Sequence, residues 1–138
     1  PFDKDTSKQL ANDLKATVGP DGANIVYDIV GGDYSEPALR AIAWEGRFLV
    51  VGFPAGIAKM PLNLTLLKSC DIRGVFWGAF AAREPKRNEQ NIQELFDLWK
   101  AGKIEPLVSE TYPLERAREA IAKLENRGAI GKLVVVME

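Results

Sequence analysis

The sequence predicts an α/β fold built on a parallel sheet. Helical and strand signals alternate along almost the whole chain. Three central segments, Ala23 to Val30, Arg47 to Phe53 and Asp71 to Trp77, are nearly continuous apolar runs, the pattern of strands buried on both faces. The stretches between them are long enough for right-handed helical crossovers.

Each element has its own signal. Thr6 and Gln9 have capping-box spacing, and Leu10, Leu14 and Val18 follow at helical period. Gly19-Pro20 stops that helix, and Asp21-Gly22 marks a turn. Ala23 to Val30 (ANIVYDIV) is rich in β-branched residues and ends at Gly31-Gly32, as a buried strand would. Ser35 suits an N-cap, Pro37 sits in the tolerant first turn, and Gly46 suits the far end of a helix with Leu39, Ile42 and Ala43 on one stripe. Arg47 to Phe53 is the second strand, closed by Pro54 and Gly56. Ile57 to Met60 reads as a short edge segment, and Pro61 to Lys68 as a short helix. Asp71 to Trp77 is the third strand, and Ala79 to Arg87 is the most loop-like stretch. Pro85 opens a long helix with Ile92, Leu95, Phe96 and Trp99 on one face, closed by Gly102. Ile104 to Val108 reads as extended. Pro113 opens a last helix with Leu114, Ala117, Ile121 and Leu124 inward, ended by Gly128, and Lys132 to Met137 is a final strand.

Composition narrows the function. The 138 residues fit one compact domain, and 46 % hydrophobic with 27 % charged residues is ordinary globular composition. Eighteen basic and nineteen acidic residues leave a net charge of −1 with no long block of either sign, so neither nucleic acid nor membrane is expected as a partner. The chain has no His and one Cys, which excludes a Ser-His-Asp triad, a Cys-His dyad and a His-based metal site within it. Cys70 has no partner for a disulfide, and a reducing, cytoplasmic setting follows. The first residues, PFDKDTSKQL, carry no signal-peptide pattern and enter a helix abruptly, as in a chain cut from something longer.

Ligands of open parallel sheets bind at the carboxyl ends of the strands. Those ends here carry Val30-Gly31-Gly32-Asp33, Val51-Gly52-Phe53-Pro54 and Val75-Phe76-Trp77-Gly78. Glycine at each end turns the chain; three at one sheet edge also let a ligand approach backbone N–H and C=O groups. No G-x-G-x-x-G and no P-loop is present. Asp28, inside an apolar strand, is either a polar group near a ligand or a structural acid held by backbone N–H groups. Phe76 and Trp77 either wall a pocket or pack in the core. Cys70 reads as a small buried hydrophobe. Tyr27, Tyr34 and Tyr112 are proton donors by type only, and no catalytic side chain and no metal ligand is nominated.

The runs Asn24 to Asp33 (NIVYDIVGGD) and Glu45 to Phe53 (EGRFLVVGF) resemble the second half of the cofactor domain of medium-chain dehydrogenases/reductases. Pro61-Leu-Asn-Leu, Gly74 to Gly78 (GVFWG), Lys103 to Pro106 (KIEP), Val108 to Glu115 (VSETYPLE) and Gly131 to Val135 (GKLVV) are similar to the zinc-independent quinone oxidoreductase branch. The resemblance covers essentially the whole chain. It implies a partial Rossmann-like sheet lacking the first strands and the glycine-rich loop. Residues 1–138 are then the C-terminal portion of a nucleotide-binding domain, plus a terminal helix and strand returning towards an absent catalytic domain.

The resemblance also implies roles. Val51, and Val75 with Trp77, would hold a nicotinamide carboxamide through their backbones, with Gly52, Phe53 and Phe76 in the same strand-end stretches. Ile29, Val30 and Gly31 would pass the adenosine side, and Lys132 would lie near the pyrophosphate or nicotinamide ribose. The implied cofactor is NADP, with NAD as the alternative, and the implied acceptor is a small electrophile, a quinone or activated enone. Two copies would pair through Ile57 to Met60. The alternatives are a non-catalytic assembly module and a fragment of an enoyl-thioester reductase. The isolated chain is expected to be inactive.

Overall fold

A computed structural model describes residues 4–126 and 128–137. Where length alone points to one compact body, the backbone gathers into two units, one running to Phe80 and the other starting at Ala81. Each has its own parallel sheet.

The first unit contains α1 (Lys4–Val18), β1 (Ala23–Asp28), α2 (Ser35–Arg40), β2 (Ile42–Val50), α3 (Asn63–Lys68) and β3 (Asp71–Gly74). The strand order is β1-β2-β3, all parallel, in the register Val26↔Phe48↔Ile72. The core lies between the sheet and the short helices: Leu39, Ile42, Phe48, Leu64 and Cys70, with Val26, Ala38, Val50 and Met60 packed around them. Cys70 is therefore the small buried hydrophobe expected of it. α1 packs on α2.

Burial on both faces is not what this unit shows. Ile25 and Tyr27 of β1 are each 64 % exposed, whereas Phe48 is fully buried. Period-two alternation puts Val26 and Phe48 on the face that α2 and α3 cover, and Ile25 and Tyr27 on the other. An apolar run thus marks a strand able to be covered on both sides, not one that this unit covers.

Several element ends also differ from expectation, each for a local reason. β1 stops at Asp28, because the Asp28 carboxylate captures the next free N–H groups and turns the chain. α2 stops at Arg40, where the Ala41 N–H closes the last turn on the Pro37 and Ala38 carbonyls. Gly46 is then a strand residue, whose missing side chain leaves room for Ile42. Ile57 to Met60 is not a strand. Pro61, which follows it, has no N–H to offer a ladder, and the segment instead brings Met60 against the core. β3 ends at Gly74, and Trp77 begins a helix instead of ending a strand.

Next come α4 (Trp77–Arg83) and α5 (Pro85–Lys100), so the stretch taken as most loop-like is helical. Ala79, Ala81 and Ala82 are strong helix formers, and Pro85, tolerated in a first turn, only separates the two helices. The second unit continues with β4 (Val108–Pro113), α6 (Ala117–Glu125) and β5 (Lys132–Val136), and β4 pairs with β5 in parallel. The extended stretch thus begins at Val108, where β-branched and aromatic residues begin, rather than ending there. A single 3-10 turn, Leu114–Arg116, precedes α6, which ends before Gly128. The expected inward face is not the buried one: Leu114, Ile121 and Leu124 are exposed and Ala117 is half-buried, while the buried residue is Ala120, outside the expected set. Among the described residues no helix is long and apolar enough to cross a membrane.

Candidate functional site

Because β1, β2 and β3 run parallel, their carboxyl ends meet at one edge of the first sheet. The turn after β1 is built around Asp28. One carboxylate oxygen accepts the Val30 and Gly31 N–H groups, both at 2.9 Å, and the other accepts the Ser35 hydroxyl at 2.5 Å. Asp28 is 9 % exposed and Ser35 1 %. Burial pushes the Asp28 carboxyl up, but the hydrogen bonds from Ser35, Gly31 and Val30 outweigh it and hold the group below its ordinary value. Of the two readings of Asp28, the structural one is what the geometry shows.

The turn after β2 locks onto the first. Gly32 N–H donates to the Gly56 carbonyl at 2.8 Å, and Ala55 N–H donates to the Val30 carbonyl at 2.9 Å. Gly31 has φ 72°, and a Cβ there would come within 2.7 Å of Phe53 and of the Gly56 carbonyl. Glycine is required on both counts. The Asp28 carbonyl accepts the Val51 and Gly52 N–H groups at 2.9 and 3.3 Å, and the Val50 carbonyl accepts the Val75 N–H at 2.8 Å.

Between the ends of β2 and β3 lies a crevice of about 700 Å³, lined by Val50, Val51, Gly52, Phe53, Pro54, Gly74, Val75 and Phe76. That volume is ordinary for a small-molecule site. The lining is almost wholly apolar apart from backbone groups. Five residues anticipated as ligand contacts, Val51, Gly52, Phe53, Val75 and Phe76, therefore share one cavity. Phe76 is 78 % exposed, which makes it a wall rather than core. Val50, Pro54 and Gly74 were missed, although each adjoins an anticipated residue.

The other anticipated residues stand differently. Ile29, Val30 and Gly31 form the β1 turn, which holds the 53–56 turn but does not line the crevice. Trp77 is exposed at the start of α4, next to Phe76 and outside the lining. Lys132 opens β5 in the second unit, where its N–H donates to the Leu107 carbonyl at 2.8 Å.

The second unit holds a polar cluster that residue types alone did not reveal. The buried Tyr112 donates its hydroxyl to Glu110 at 2.5 Å, and Lys123 also donates to Glu110. The hydrogen bond from Lys123, and then that from Tyr112, hold the Glu110 carboxyl below its ordinary value. The same bond to Glu110 pushes the Tyr112 phenol up. These contacts tie β4 to α6 and read as architecture.

A family model described as zinc-binding dehydrogenase matches residues 2–135. The quinone oxidoreductase-like protein 2 of Bos taurus is 35 % identical over 122 residues, covering 88 % of this chain and 35 % of that protein. Its homologue in Nematostella vectensis is 31 % identical over 132 residues, covering 94 % of this chain and 36 % of that protein. The chain thus spans about a third of the length of these relatives. Among solved structures, a mycobacterial protein in complex with NADPH superposes with a TM-score of 0.76 at 25 % identity, covering 99 % of this chain and 40 % of that one. A probable oxidoreductase from Mycobacterium abscessus gives a TM-score of 0.74 at 27 % identity, covering 91 % of this chain and 36 % of that one. The family's description names zinc, yet among the described residues no group of three His, Cys, Asp or Glu is placed to hold a metal. The residues present do not fit that ion. The chain belongs to the zinc-binding dehydrogenase family of medium-chain dehydrogenases/reductases, and corresponds to a C-terminal portion of its quinone oxidoreductase-like members.

Proposed function

We propose that the crevice at the ends of β2 and β3 receives the nicotinamide end of NADPH in a longer oxidoreductase of which this chain is the C-terminal part. The observation that carries this reading is an apolar slot walled by backbone at the carboxyl edge of a parallel sheet. Val51 and Val75 both spend their N–H groups on neighbouring carbonyls. Their own carbonyl oxygens are then the groups for a carboxamide NH2 to donate to, which would fix one face of the ring. Phe53 and Phe76 give that ring apolar walls and keep water away.

When bound, a reduced nicotinamide supplies a hydride to an electron-poor acceptor, here a quinone or activated enone. The residues of this chain orient and desolvate; none of them is assigned a proton transfer. Ile29, Val30 and Gly31 run along the adenosine side in this reading, Trp77 borders the ring site beside Phe76, and Lys132 meets a phosphate or ribose. NADP is preferred over NAD on the branch resemblance. The solved relative in complex with NADPH supports a nicotinamide cofactor. Two copies pair through Ile57 to Met60, a segment where Ile57 is 72 % exposed, and the protein works in the cytoplasm.

Titration of the protein with NADPH, followed by tryptophan fluorescence, tests the reading. Saturable quenching in the micromolar range is expected. A folded protein whose emission is unchanged across that range would overturn it.

A further inference from the structure

Among the described residues Asp28 is the one buried carboxylate. It is bonded on every side. Its side chain holds Val30, Gly31 and Ser35, and its backbone carbonyl holds Val51 and Gly52. The turn it shapes is in turn bonded to Gly56 and Ala55 and presses against Phe53. Val51, Gly52 and Phe53 are the β2 wall of the crevice. One residue therefore fixes two consecutive strand-end turns without touching the cavity itself.

We propose that Asp28, with Ser35, is a positioning residue: its carboxylate holds the β1 turn in the shape whose backbone groups bond the β2 turn, so that the crevice is formed before any ligand arrives. The inference rests on the crevice being the cofactor site. Its chemistry is specific to a carboxylate. Two oxygens accept three donors in a dry setting, where charge-assisted hydrogen bonds are about twice as strong as neutral ones. An apolar residue would leave the Val30 and Gly31 N–H groups and the Ser35 hydroxyl without acceptors. An asparagine keeps one accepting oxygen, so it should preserve part of the lock. Preformed geometry matters because a slot that has to be ordered on binding loses affinity to that ordering.

Backbone hydrogen exchange without cofactor, read peptide by peptide in the protein that carries this chain, tests the lock directly. Asp28→Ala is expected to raise exchange at least tenfold in 29–34 and 51–56 while 39–48, the core of the unit, stays protected. Asp28→Asn and Ser35→Ala should show the same pattern at smaller amplitude, and they report it even if the alanine variant fails to fold. The control Glu36→Ala, which breaks only an exposed pair with Arg40, should leave exchange unchanged. NADPH should bind about tenfold more weakly to Asp28→Ala, with Asp28→Asn between the two. Exchange that rises evenly over the whole unit, or not at all, would overturn the proposal. The predicted exchange pattern in a protein that binds no NADPH would leave the lock standing and remove the cofactor reading.

Discussion

Asp28 occupies a strand position where its neighbours are Ile, Val and Tyr, and it stays charged there because three donors converge on it. Its folded pKa lies below the unfolded value of about 3.9. A carboxyl lowered on folding contributes stability that is present above the unfolded value and is lost as pH falls through the folded one. In urea unfolding across a pH series, Asp28→Asn should be less stable than the parent at neutral pH and should converge on it in acid. Parallel curves across the series would contradict this. Val51 makes a second prediction at this scale. Val51→Pro removes the N–H that reaches the Asp28 carbonyl and should weaken NADPH binding far more than Lys132→Ala, a side-chain change on β5. A titration giving the reverse order in folded variants would refute backbone recognition. Much of this was legible in the residues: glycines at three strand ends located the edge, and an acid in an apolar run was bound to need partners. The partners themselves were not legible, because Ser35 lies seven positions away and meets Asp28 only after the turn has formed.

At the scale of elements, apolar runs located all three strands of the first sheet, while their ends depended on contacts that a run does not encode. β2 shows why. Its register jumps from Ala23↔Ile42 to Ile25↔Arg47, so four residues, Ala43 to Gly46, stand opposite Asn24 alone and form a bulge. Glu45 takes φ 56°, a left-handed conformation costing a non-glycine residue about 1–2 kcal/mol. Glu45→Gly should therefore stabilise the protein by about 1 kcal/mol in chemical unfolding. The gain is partly offset by the greater freedom of glycine in the unfolded chain, and a loss of stability would show that the Glu45 side chain holds the bulge. The alanine-rich start of α4 was hidden by the following charges and Pro85, which look like loop residues in sequence. The β4 strand was misplaced because its polar residues, Ser109, Glu110 and Thr111, interrupt the apolar signal, although they still pair with β5.

For the whole molecule, the family was legible in a few short runs, among them the strand-end stretches 24–33 and 45–53 and the stretches 108–115 and 131–135 around β4 and β5. The two units and the partly uncovered sheet were not, since coverage depends on which other chain segments reach a face. The chain spans 35 % of the Bos taurus relative, and the role proposed for the crevice at the ends of β2 and β3 covers the nicotinamide end of a cofactor only. The 138 residues alone should therefore show no NADPH oxidation with a quinone above a denatured control, and measurable turnover would contradict that division of labour. The central claim is that the β2 and β3 ends form the nicotinamide slot. Amide exchange in the protein that carries this chain, with and without saturating NADPH, tests it most directly. Protection concentrated in 51–54 and 74–76 is the predicted result. Protection elsewhere, with those two stretches unchanged at saturation, would contradict it.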